Sequence, residues 1–174
     1  MLKILLALIS LVASVEVYGA SIYKQSLSKK TDAYTRNGVF MGGRAETLQA
    51  LMKVRRLHST KVGLERIIFD MGSDQYRPIA ETGYFHVSVD GNNSRVVIQL
   101  SQMAKTLATE QQLRNVFAKS ENVKSVEFTV DPEDSTGTVV LNLKRPVQTE
   151  VFSLPGRKKQ TARLVLDMKT VTKR

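Results

Sequence analysis

Three segments of the chain set an arginine before three apolar residues: Arg66-Ile67-Ile68-Phe69-Asp70, Arg95-Val96-Val97-Ile98-Gln99 and Arg163-Leu164-Val165-Leu166-Asp167. A guanidinium holds a carboxylate by two parallel hydrogen bonds, so these arginines, with Arg55 and Arg56, are candidate forks for an anionic ligand. On an extended strand Arg66 and Asp70 share a face about 13 Å apart and must find partners on neighbouring strands. Two outcomes stand open. The charges pair across strands, worth a few tenths of a kcal/mol each, or they face outward and take a carboxylate from elsewhere.

Other chemistries find little support. Only His58 and His86 are present, far apart and without a nearby Glu pattern, which is a poor match to a zinc site. Asp131, Glu133 and Asp134 cluster, but Pro132 and Gly137 make that stretch a solvated turn rather than a carboxylate pair for glycoside hydrolysis. No Gly-x-Ser-x-Gly elbow and no phosphate-cradling glycine loop occurs. With no cysteine, thiolate chemistry and disulfides are excluded and stability must come from packing. The sequence gives no reason to expect catalysis or a cofactor.

The elements that position the arginines are mostly strands. Val54 and Leu57, then residues 64–71 and 95–100, are β-branched or aromatic stretches bounded by Gly, Asn, Asp and Ser. In 64–71, Ile67, Phe69 and Met71 point one way while Arg66, Ile68 and Asp70 point the other. Asp90-Gly91-Asn92-Asn93 between Val87 and Val96 predicts a hairpin. Further strands are expected at 123–130, 138–143, 148–153 and 163–168, broken by the turn at 131–137, by Pro146 and by the turn at 154–159. A helix is expected from Thr109, where Gln112 completes a capping box and Leu113, Val116 and Phe117 form a stripe. Leu48, Leu51 and Met52 suggest another helical turn or two at 45–51.

The N-terminus reads differently. Lys3, an apolar run over 4–15 and small residues at Gly19 and Ala20 have the form of a secretory signal peptide, residues 1–20, cleaved after Gly19 or, by preference, Ala20. Glu16 interrupts the run too early for a lasting membrane span. Residues 21–43, with Lys24, Lys29, Lys30, Arg36 and a Gly42-Gly43 pair, read as a flexible basic linker ahead of a domain at 44–170. The formal charge of +10 survives loss of the signal, since Lys3 and Glu16 cancel. In an exported protein such a surplus either serves solubility or attracts anionic wall polymers, peptide carboxylates of the wall or lipid head groups, in place of nucleic acid.

The domain contains a repeat. Val54 and Ile67 with their neighbours match Val126 and Val139 at an offset of 72 residues, and 95–99 matches 163–167 at 68, with 76–79 falling opposite 148–151. A unit with one apolar face cannot bury it alone, so two copies closing on each other predict an all-β sandwich of two similar three- to four-stranded sheets with internal pseudo-two-fold symmetry. The short helix would join the halves.

The Arg-apolar-apolar-apolar-Asp rows, together with Leu143-Lys144-Arg145-Pro146-Val147 and Val151-Phe152-Ser153-Leu154, resemble the AMIN domain over residues 51–168. That family precedes the catalytic domain of periplasmic N-acetylmuramoyl-L-alanine amidases and occurs in type IV pilus secretins. The resemblance implies a non-catalytic periplasmic module that binds peptidoglycan and helps localise its host. On that reading Arg55, Arg56, Arg66, Arg95 and Arg163 would hold carboxylates of peptide stems, and Tyr76, Tyr84 and Phe85 would stack on sugar faces. The alternative is an envelope assembly protein docking on a secretin, pilus machine or divisome protein by a strand edge or a helix groove. The segment 76–90 is longer and more polar than a simple hairpin arm, and the insertion 101–120 is long.

Overall fold

The computed structural model describes residues 23–25, 30–59, 63–158 and 160–171. The expected signal segment, and residues 21–22 and 26–29 of the expected linker, lie outside them. The strands are β1 Tyr23–Gln25, β2 Asn37–Gly42, β3 Gln49–Ser59, β4 Leu64–Gly72, β5 Phe85–Asp90, β6 Arg95–Leu100, β7 Met103–Thr106, β8 Val123–Val130, β9 Gly137–Leu143, β10 Val147–Leu154 and β11 Arg163–Thr170. Among the described residues one helix, α1 Glu110–Phe117, links β7 to β8.

The strands make a sandwich. Sheet I runs β1-β2-β5-β6-β9-β8 and sheet II runs β10-β11-β4-β3-β7. Period-two alternation sends one side of each strand into a shared core. Phe85, Val87, Val96, Ile98, Val139 and Leu141 enter from sheet I and Val54, Ile67, Phe69, Met71, Leu164 and Leu166 from sheet II.

The repeat is present, but its halves are interleaved instead of each closing one sheet. Each half contributes a hairpin to both sheets: β3-β4 and β10-β11 lie in sheet II, β5-β6 and β8-β9 in sheet I. Exchanging β3, β4, β5, β6 for β8, β9, β10, β11 turns one strand order into the other. The register follows as well. Val54 opposite Phe69 is reproduced by Val126 opposite Leu141, and Arg163 opposite Asp70 by Arg95 opposite Asn142. The counterpart of β10 is β5, not residues 76–79; Val87 opposite Ile98 is matched by Val151 opposite Leu166.

The sheets exceed the expected three to four strands because segments outside the repeat join their edges. Residues 37–42, expected in a linker, form β2, which pairs along all of β5 and buries Phe40 in the core. The adjoining Gly43 has φ +81°, and a Cβ there would strike the Gly83 carbonyl, so this glycine serves close packing. The helical turn expected at 45–51 is absent; β3 begins at Gln49. A few apolar residues cannot pay for helix nucleation, whereas pairing with β4 and burial of Ala50 and Leu51 offset strand ordering. Gln49 is wholly buried, accepting from Gly83 N at 3.0 Å and donating to the Ser101 and Tyr84 carbonyls at 2.8 and 3.2 Å.

Helix α1 starts as its capping box requires. Thr109 Oγ1 accepts from Gln112 N at 3.2 Å and Gln112 Oε1 accepts from Thr109 N at 2.9 Å. Leu113 and Phe117 then plug the core beside β8.

Candidate functional site: the outer face of sheet II

The side of sheet II turned away from the core carries most of the singled-out charges. Cross-strand register lays them in rows. Leu57, Arg66, Asp167 and Glu150 form one; Arg55, Ile68, Val165 and Phe152 the next; Lys53, Asp70, Arg163 and Leu154 the third. Ile68, Val165 and Phe152 pack as a small apolar cluster at the centre.

Two of the arginines are locked. Arg66 donates from Nε and Nη2 to Asp167 at 2.6 and 2.7 Å and lies over the Phe152 ring at 5.7 Å. Arg55 donates to both oxygens of Asp70 at 2.7 Å. In each case the carboxylate hydrogen bond raises the arginine's pKa further, so both stay charged.

Arg163 is different. It stands directly opposite Asp70 in the register, yet both Asp70 oxygens are taken by Arg55 from the other side. Arg163 forms no ion pair among the described residues, and its buried Nε has no hydrogen-bond partner there. It lines a cleft of about 320 Å³ with Arg55, Asp70, Gln160 and Thr161. The net charge of Arg55, Asp70 and Arg163 is one positive, which suits one carboxylate. The residues Gln160 and Thr161 were not singled out from sequence; the turn at 154–159 leading back to β11 is the signal that would have placed them.

At the other end of the face, residues 31–35 lie along β10. Thr31 donates from N and Oγ1 to Glu150 at 2.6 and 3.1 Å, and Thr35 exchanges backbone hydrogen bonds with Thr149 at 3.0 and 2.7 Å. Tyr34 sits under Lys169 Nζ, 3.9 Å from its ring centroid. Burial, reinforced by the Asp167 carboxylate, pushes the Tyr34 phenol above its usual value. This cover explains why Glu150 and Asp167 are almost inaccessible on an outward-facing row.

The remaining expected site residues are placed elsewhere. Arg56 turns to the core side, donating to the Val116 carbonyl at 3.1 Å and to buried Glu65 at 3.2 Å, whose other oxygen accepts from Asn122. It is an internal tie and not a ligand fork. Arg95 is exposed on the outer face of sheet I, opposite Asp90 and Asn142, and so belongs to the other side of the sandwich. Phe85 has no exposed surface and serves the core, which removes it as a stacking platform. Tyr84 is exposed and Tyr76, at φ +60°, has Lys105 over its ring at 5.9 Å; neither lines the cleft. His58 and His86 lie on different sheets, His58 3.5 Å from Glu121. Asp131 and Asp134 cap their own turn by accepting from Glu133 N and Thr136 N. Among the described residues no three acidic or histidine side chains converge as metal ligands, and no helix is long and apolar enough to cross a membrane.

No protein-family model matches the chain, and no curated protein is found that is similar to it.

Proposed function

We propose that this chain is a non-catalytic module of the periplasm that binds an anionic polymer of the cell envelope, peptidoglycan foremost, through the outer face of sheet II. The observation that carries the reading is Arg163: a guanidinium in a cleft, aligned with a carboxylate that another arginine has already taken. On that face Lys53, Arg55, Arg66, Arg163 and Lys169 outnumber Asp70, Asp167 and Glu150, leaving a surplus of positive charge that favours an anionic ligand. Peptide stems of the wall offer carboxylates of the right size, and the positive field of a chain at +10 draws the polymer in. The resemblance of the arginine rows to the AMIN domain and the doubled sandwich support the same assignment. The export that it requires rests on the signal-like segment at 1–20.

Sedimentation with purified sacculi tests it. Arg163→Ala should weaken binding about tenfold or more, since hydrogen bonds to a charged group contribute roughly 1.5–3 kcal/mol. Its thermal midpoint should stay where it is, and binding by the parent chain should fall as salt rises. Co-sedimentation indifferent to both Arg163 and salt would remove the assignment.

A further inference from the structure

The two halves of the repeat are finished differently at their outer edges. β3 and β8 are equivalent strands, and β3 carries β7 alongside it, paired in parallel at Gln49–Leu51. β8 pairs with β9 alone among the described residues, leaving its other edge without a strand. Such an edge presents a row of backbone donors and acceptors, and the fold already accepts added strands at comparable edges, β7 on β3 and β2 on β5.

Beside this edge runs a groove of about 440 Å³ between β8 and α1. Phe117, Val123 and Val126, core residues that show only a narrow strip of surface here, close its floor, and Arg114, Lys124 and Lys144 form its basic rim. The acidic residue there, Glu127, already accepts from Asn142 Nδ2 at 2.9 Å. Arg114 is paired with Glu110 and Lys144 with the Ser120 carbonyl, whereas exposed Lys124 has no carboxylate among the described residues. Two copies of this edge would bring their basic rims of Arg114, Lys124 and Lys144 together, and that like-charge contact disfavours a second copy as occupant.

We propose that the β8 edge docks an extended segment of a partner protein with alternating apolar and acidic residues, which adds to sheet I as a strand. Backbone hydrogen bonds to β8 hold it, an apolar side chain seats on Phe117 and Val126, and a carboxylate meets Lys124. The surface lies on the edge of sheet I and is independent of the polymer site on sheet II.

The test uses the full chain, labelled with nitrogen-15, and an end-capped octapeptide alternating valine and glutamate. Saturable amide shifts confined to β8, α1 and Lys144 are expected, with Lys124→Glu weakening binding about tenfold and Arg163→Ala leaving it unchanged. A peptide methylated on the amides that would face β8 should not bind. Shifts elsewhere, equal binding by the methylated peptide, or β8 shifts that depend on protein concentration without peptide would overturn the proposal, the last by giving the edge to a second copy.

Discussion

Arg66 and Arg163 lie on one face of sheet II, two rows apart, and the rows differ in who holds the carboxylate. Asp167 is fully buried and both its oxygens belong to Arg66. Removing that guanidinium would leave a buried charge unpaired, so Arg66→Ala is expected to destabilise the fold by about 3–5 kcal/mol in chemical denaturation. Arg163→Ala removes no ion-pair partner found among the described residues and should leave the denaturation midpoint in place. Equal behaviour of the two variants would contradict the asymmetry on which the site rests. Sequence alone could name both arginines and both outcomes, internal pairing or outward binding. It could not choose between them, because the choice depends on Arg55 reaching Asp70 diagonally across β3 and β4. Arg56 shows the same limit: beside Arg55 in sequence, it points to the opposite side of the strand and is spent on Glu65 and Val116.

At the scale of elements, the strands of the repeat and the capped helix were legible because each rests on local chemistry: period-two alternation, turn residues, or a capping box. The hairpin between β5 and β6 is a further case. Asp90 accepts from the amides of Asn92 and Asn93 at 3.0 Å and from Asn93 Nδ2 at 2.5 Å, bonds that hold its pKa below the ordinary 3.8. Stability from the ionised form is therefore present above that ordinary value and is lost as pH falls through the lower folded one. Thermal midpoints of the parent and Asp90→Ala should accordingly differ near neutral pH and converge as pH falls below the usual carboxylate range. A gap that persists in acid would show that the turn does not depend on the charge. The missed elements, β1, β2, β7 and the start of β3, have ambiguous local patterns. Phe40 and Gln49 acquire their roles only from β5, Gly83 and Ser101 across the core.

For the whole molecule, interleaving has a consequence that two separately closed halves would not. The hydrogen bonds joining β4 to β11 and β6 to β9 tie one half to the other inside both sheets. Neither half can finish a sheet alone, so the chain should unfold in one transition, with near-ultraviolet and far-ultraviolet circular dichroism coinciding, and fragments 44–108 and 109–171 should each be unfolded. Separate transitions for the two probes would count against this coupling. By itself the sequence determined the strands of the repeat, the helix cap, the doubling and the charge surplus, because alternation, turn chemistry and repetition are written in neighbouring residues. Tertiary structure decided how the hairpins are dealt between the sheets, which arginines of sheet II are paired and which edge has no strand beside it among the described residues. Each of these depends on strands distant along the chain that meet only after the apolar faces have closed.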